Sequence, residues 1–297
     1  MFILSKKEGR EVKYMKVRKA VFAGSWYPES ASECEREINN FLNDATVSPS
    51  SKNKLIGGIV PHAGWYYSGS IACNVINYLK KGADPDVFVI FGMHLGPESF
   101  YYIMKEGLWE TPFGDIQIEK DLAGELVEKF NFNVETPEYF TEDNTIELQL
   151  PFIKYLFEDA KIVPVGVPPV KKSLEIGRAA AEISTELGLN IKVIGSTDLT
   201  HYGLNYGFMP EGIGYSAVDW VRKVNDKRII EIMLEMNPDK VISEALKHQN
   251  ACCSGAAATA IATAKQLGAD HADAIVYATS YDKRPSDSFV GYAGIVF

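Results

Sequence analysis

Three of the chain's five histidines stand just past the end of an apolar, strand-like run. His62 closes Gly57-Gly58-Ile59-Val60-Pro61-His62, His94 follows Val87-Phe88-Val89-Ile90-Phe91-Gly92-Met93, and His201 follows Ile194-Gly195-Ser196-Thr197-Asp198-Leu199-Thr200. In an open α/β sheet, the loops at the carboxyl ends of strands gather on one edge, where ligands bind. Three imidazoles brought to that edge, with Asp198 beside the third, point to a metal or acid–base site. Asp198 precedes His201 closely enough for the carboxylate to orient the imidazole, or for both to face one ion.

Other segments offer further groups, each with a plainer alternative. Cys252 and Cys253 precede an Ala-rich helical stretch. A cysteine at a helix N-terminus has its thiolate stabilised, which suits metal ligation or reactivity; spacing alone favours small residues packed beneath the helix. In Thr141-Glu142-Asp143-Asn144-Thr145-Ile146-Glu147 an acidic loop enters a helix, with Asn144 or Thr145 as N-cap. Glu147 either points into the site or favours the positive end of the helix dipole. The aromatics Trp65, Tyr66, Tyr67, Tyr202 and Tyr206 could wall a pocket or fill the core. His248 and His271 read as an exposed helix end and a loop residue.

The elements that must position these groups follow from periodicity. Strand-like runs occupy Leu55–Val60, Val87–Phe91, Phe100–Met104, Lys161–Val167, Ile191–Gly195, Ala274–Ala278 and Val290–Val296. Helical spacing of 3.6 is expected over Ala31–Asn43, Ser68–Lys80, Leu122–Phe130, Thr145–Phe157, Ser173–Leu187, Asp226–Met236, Asp239–Lys247 and Ser254–Leu267. Their alternation predicts an α/β fold, a three-layer αβα sandwich with a mixed central sheet. Phe100–Met104 and Gly114–Ile118 are short enough to form a hairpin at its edge.

Composition narrows the function classes. Hydrophobic residues make up 46% and charged ones 23% of 297 residues, enough for a sizeable core. The net charge of -9 argues against nucleic acid or anionic membranes as partners, since both require concentrated Lys and Arg. No apolar run approaches the roughly 18 residues of a membrane span and no secretory leader is visible, so a cytoplasmic location is expected. Four cysteines in a chain this long make no disulfide framework, and neighbours such as Cys252 and Cys253 rarely pair without strain. Residues 1–16 are polar, basic and aperiodic: either an extension, mobile or docked at an edge, or a misassigned start with translation beginning at Met15. Residues 17–297 are expected to form one domain.

Taken together, these segments resemble the Memo family. The resemblance rests on Phe22-Ala23-Gly24-Ser25-Trp26-Tyr27-Pro28, Pro61-His62-Ala63-Gly64, Gly92-Met93-His94, Ile146-Glu147-Leu148-Gln149-Leu150-Pro151 and Ser196-Thr197-Asp198-Leu199-Thr200-His201-Tyr202-Gly203, in family order. It implies the fold of class III extradiol ring-cleaving dioxygenases, which use non-haem iron. It further implies His62, His94 and Cys253 as metal ligands, with Asp198 and His201 beside the metal in catalytic roles. Asn144 stands where the family commonly has a histidine, and an amide cannot shuttle protons near neutral pH.

The expectation is a metal-dependent redox enzyme holding Fe(II), with His201 moving protons and a small molecule as substrate. A cysteine in place of the usual carboxylate softens such a site, which admits copper or zinc. One alternative is a binding module that recognises a peptide, a phosphorylated ligand or a metal without turnover, using a pocket that includes Asn144, Glu147, Trp65 and Tyr202. Zinc-dependent hydrolysis, with Asp198 or Glu147 as base, is the other.

Overall fold

The computed structural model describes residues 15–297 apart from 45, 51–53 and 82, so the expectation for the extension falls almost wholly outside the described residues. In chain order the strands are β1 (Val17–Arg18), β2 (Gly57–Val60), β3 (Val87–Gly92), β4 (Tyr101–Met104), β5 (Leu108–Trp109) and β6 (Ile116–Gln117). Then come β7 (Phe132–Glu135), β8 (Lys161–Gly166), β9 (Ile191–Ser196), β10 (His201–Tyr202), β11 (Asp273–Thr279) and β12 (Phe289–Val296). The helices are α1 (Ala31–Phe41), α2 (Trp65–Tyr78), α3 (Lys120–Lys129), α4 (Asn144–Glu147), α5 (Leu150–Leu156), α6 (Lys171–Glu186), α7 (Tyr215–Trp220), α8 (Asp226–Leu234), α9 (Pro238–His248), α10 (Ser254–Gln266) and α11 (Ser280–Lys283).

A nine-stranded sheet runs in the order β10-β12-β2-β9-β3-β8-β4-β7, with β11 also paired to β12. Its centre, β2, β9, β3 and β8, is parallel, whereas β12 and β4 join it antiparallel. The mixed sheet therefore stands as expected. The parallel strands are the continuous apolar runs because helices cover both their faces. Side chains of registered residues share a face, so Ile59 and Gly195 point one way and Gly58 the other. A Cβ on Gly195 would meet Ala256 and Ala260 of α10, and one on Gly58 would meet Val75 of α2. Helices α10 and α2 thus lie on opposite faces, with α6 packed on α10. Three layers result.

Two local expectations are corrected. The hairpin between Phe100–Met104 and Gly114–Ile118 does not form. Strand β4 lies between β7 and β8, while β6 pairs with β5 in a separate three-stranded sheet that includes β1. The shorter connection wins: Gly114, at φ 103°, closes a tight turn in which the Thr111 hydroxyl donates to the Gly114 carbonyl. The helix expected over Thr145–Phe157 is broken at Leu148–Gln149 into α4 and α5. Pro151 lies in the first turn of α5, where its missing N–H costs nothing. Among the described residues no helix is long and apolar enough to cross a membrane.

Between α7 and α8 the chain makes a π-helical stretch, Val221–Asn225. The wider turn brings Asn225 and Asp226 both inward, and both are fully buried. The Asp226 carboxylate accepts from the Thr200 backbone N–H at 3.0 Å, the Thr200 hydroxyl at 2.5 Å and the Tyr277 hydroxyl at 2.8 Å. Asn225 Nδ2 donates to Thr200 Oγ1 and to the His248 carbonyl, and Asn250 Nδ2 donates to the Asn225 carbonyl. One turn of helix thereby pins the loop carrying Asp198 and His201 and the approach to Cys252.

Candidate metal centre

Strand β2 runs into Pro61, which cannot continue a ladder, and His62 follows, buried at 2% exposure. Its backbone N–H donates to Asp198 Oδ1 at 2.7 Å. Its Nδ1 lies 3.0 Å from Ser196 Oγ, and Ser196 in turn donates its only proton to the Thr145 carbonyl at 2.7 Å. A hydroxyl has one proton to give, so Nδ1 of His62 must be the donor. Nε2 is then the atom left to bind something, and it faces Cys252 Sγ at 3.3 Å.

His94 is fixed by the same logic from another direction. Met93 before it takes a left-handed φ of 72°, unusual for a side chain of that size, and its N–H donates to Thr145 Oγ1 at 2.7 Å. That turn aims His94 so that its backbone N–H and Nδ1 both meet Asp143 Oδ2 at 3.0 Å. A carboxylate only accepts, so Nδ1 again donates and Nε2 is free. The two imidazole rings stand 4.9 Å apart, nearly perpendicular. Asp143 also caps α4, accepting from the Thr145 N–H at 2.9 Å; Asp143, not Asn144 or Thr145, is the N-cap. One tripeptide orients both rings.

The thiols arrive from the loop before α10. Cys252 is zipped to the end of β9, its N–H donating to the Asp198 carbonyl at 3.2 Å and its sulfur receiving the Asp198 N–H at 3.3 Å. Cys253 donates its N–H to Thr197 Oγ1, and the two sulfurs are 3.7 Å apart. The ligand atoms of His62, His94, Cys252 and Cys253 all lie within 4.8 Å of one another. Burial opposes charge on His62, Cys252 and Cys253, and less fully on His94, whose side chain is 46% exposed. For His62 the Asp198 carboxylate and the Cys252 sulfur overcome that cost and push the imidazole up; for His94 the Asp143 and Cys252 hydrogen bonds carry it to about 10. Burial likewise favours a neutral Cys252, yet the Cys253 hydrogen bond and both imidazoles hold it well below the usual thiol range. Cys253, buried beside that sulfur, is driven up. The sulfurs and imidazole nitrogens thus converge on one space that a metal ion could take.

His62, His94, Asn144, Asp198 and His201 line one cleft of about 700 Å³, together with Trp26, Tyr67, Tyr206 and Arg284. Asn144 Nδ2 donates to the His62 carbonyl at 2.7 Å. His201 Nδ1 lies 3.2 Å from the Leu199 carbonyl, so it too is the donor and Nε2 is open; Tyr206 meets the ring edge-on at 4.9 Å. Asp198 reaches His62 Nε2 at 3.9 Å through Oδ2, so its partner is His62.

Three expected pocket residues do not line this cleft. Trp65 is core: it stacks on Phe152 at 4.1 Å and donates Nε1 to the Leu148 carbonyl. Glu147 is buried under the amino-terminal signature, accepting the Phe22 N–H at 2.7 Å and the Tyr27 hydroxyl at 3.1 Å. Tyr202 stacks on Phe289 in a satellite core and donates to the Gly212 carbonyl. Successive residues of a strand face opposite ways, so with His201 opposite Val290 on the cleft side, Tyr202 must turn inward. Sequence reasoning also missed Cys252, Asp143, Ser196 and Thr145. Of these, only Cys252 carried a visible signal, and neighbouring cysteines at a loop end give no indication of which one turns toward the histidines.

The fold and the cluster define an α/β protein with a candidate metal centre at the carboxyl edge of its sheet. Residues 18–296 match the family model described as "Memo-like protein". The chain is 35% identical over 290 residues to the MEMO1 family protein of Pyrococcus furiosus, covering 94% of this chain and 98% of that one. It is 33% identical over 288 residues to that of Pyrococcus horikoshii, at 92% and 97% coverage. The chain belongs to the Memo family. Its fold is shared with an uncharacterised protein of Escherichia coli K12 of known crystal structure, at a TM-score of 0.54 and 11% identity, over 82% of this chain and 99% of the other.

Proposed function

We propose that this protein binds a metal ion through His62, His94 and the Cys252–Cys253 thiols and serves as a redox enzyme acting on a small molecule in the adjoining cleft. The observation that carries this reading is the commitment of both Nδ1 protons, to Ser196 and Asp143, which leaves both Nε2 atoms free in a cluster where His62 Nε2 faces the Cys252 sulfur and all four ligand atoms lie within 4.8 Å of one another. Imidazole and thiolate donors suit iron, copper and zinc. The family resemblance favours Fe(II), and the second thiol strengthens the case for copper or zinc. Once bound, the ion would supply a Lewis-acidic centre able to change oxidation state, if it is iron or copper. The chain's own residues do the rest: Asp198 holds the His62 backbone, Asp143 holds the His94 ring, and His201 presents an open Nε2 to the cleft as proton acceptor.

Metal analysis of protein purified without oxygen tests the reading. Bound Fe(II) with oxygen uptake supports it, and stoichiometric zinc without redox activity favours hydrolysis. A protein that binds ligands without turnover supports the binding module, which the replacement of a family histidine by Asn144, tied to the His62 carbonyl, also favours. Two variants separate the roles. Asp143→Ala frees the His94 ring and is expected to weaken metal affinity by about 10- to 100-fold, measured by competition with a chelator. His201→Ala is expected to leave that affinity nearly unchanged while turnover falls by about 10²- to 10⁴-fold. The reverse pattern would show that ligand and proton carrier have been exchanged.

A further inference from the structure

The cluster contains one more sulfur than three ligands require, and that sulfur lies against its neighbour. Cys252 is partly exposed beside His62, whereas Cys253 is buried behind it with its sulfur 3.7 Å away. Both backbones are tethered to the end of β9, Cys252 through Asp198 and Cys253 through the Thr197 hydroxyl, so neither sulfur can swing far from the other. The remaining cysteines, Cys34 and Cys73, are buried elsewhere and held as thiols, each pushed up to about 12 by burial.

We propose that Cys252 and Cys253 form a reversible thiol–disulfide couple, oxidised by a small peroxide, that opens and closes the sulfur side of the metal centre. The sulfur of Cys252, the partly exposed member of the pair, attacks an oxygen of hydrogen peroxide: an S–O bond forms, the O–O bond breaks and one water leaves. The Cys253 sulfur then attacks the Cys252 sulfur, forming S–S, breaking S–O and releasing a second water that carries away the Cys253 proton. Two thiols lose two electrons and the peroxide gains them. Adjacent residues close such a bond only with strain. Strained disulfides are the readily reduced, regulatory kind, so an ordinary dithiol would restore the pair. In the oxidised form both sulfur donors are withdrawn and only the imidazoles remain. This consequence rests on the metal reading; the thiol chemistry does not.

The test uses the metal-free, fully reduced protein and a small excess of hydrogen peroxide, followed by alkylation and trypsin. Cleavage after Lys247 and Lys265 gives one peptide, His248–Lys265, that carries both cysteines and neither of the other two. That peptide should emerge unalkylated and lighter by two hydrogens, and dithiothreitol should restore full alkylation. In Cys253→Ser, Cys252 should instead gain oxygen and be trapped by dimedone. In parallel, zinc affinity of the wild type should fall by at least about tenfold on oxidation and recover on reduction. A Cys252 sulfinate beside an alkylatable Cys253, a disulfide between molecules, or both thiols left alkylatable would overturn the couple. Disulfide formation with unchanged zinc affinity would overturn the gating. Reduced protein that binds no zinc or Fe(II) would refute the metal reading, a failure visible apart from the peptide masses.

Discussion

His62→Ala should abolish the heat of Fe(II) binding in an anaerobic titration, with affinity falling at least about a thousandfold, or about 4 kcal/mol. The size of this effect follows from how fully the ring is committed. Its Nδ1 proton is held by Ser196, whose own proton is held by Thr145, so Nε2 has no other orientation to adopt. The side chain is buried, and His201, which lines the same cleft, is held through Nδ1 on the Leu199 carbonyl. The backbone N–H bond to Asp198 survives the substitution, so the loop stays in place and the loss reports the ligand itself. A milder control is Ser196→Ala, which frees the ring without removing it and should cost about 10- to 100-fold. Retained affinity in His62→Ala would place the ion elsewhere.

Asp226→Ala should cost about 3 kcal/mol of stability in urea unfolding. It orphans three buried donors, from the Thr200 backbone, the Thr200 hydroxyl and Tyr277, and each orphan costs about 1 to 3 kcal/mol less whatever relaxation recovers. The same residue gives a pH signature. Burial, only partly opposed by the Thr200 and Tyr277 hydrogen bonds, pushes its carboxyl up to about 6. A carboxyl whose folded value lies above its unfolded one contributes stability that is complete below the ordinary aspartate range near 4 and is lost as pH rises through about 6. Wild-type protein should therefore lose stability through this group between about pH 4 and 6, by up to about 3 kcal/mol. Asp226→Asn should show no such decline. A decline of equal size in both would assign it to another group.

Much of the sheet was legible because its central strands are buried on both faces and so read as unbroken apolar runs, Val87–Gly92 above all. The edges were not. Phe132–Glu135 alternates apolar and polar residues over only four positions and is half-exposed, too short a pattern to mark a strand, and its place beside β4 depends on long-range pairing. The helices α7 and Val221–Asn225 went unread for a related reason: a π-helical stretch shifts the apolar register within one element, so no single period fits it. At the site, His62, His94, Asp198 and His201 followed from their place after strands, a property of topology that sequence order carries. Cys252 over Cys253, and Asp143 beside Asn144, turn on the orientation of single side chains, and that is decided by contacts with Asp198, Thr145 and His94 that no local spacing encodes.

The position of β12 governs when the centre can exist at all. The last strand of the chain pairs directly with β2, whose end carries His62, and β2 is otherwise flanked only by β9. The thiols lie 190 residues beyond His62. On the ribosome, where an N-terminal segment has time to fold before its C-terminal partners are made, the early strands of this chain would wait with β2 open along one side. The candidate metal centre is thus among the last features to be completed. If the proposed centre binds an ion, that ion seals a fold already assembled and does not nucleate it as in a zinc finger, and truncation from the carboxyl end should erase metal uptake before most of the sheet has been touched.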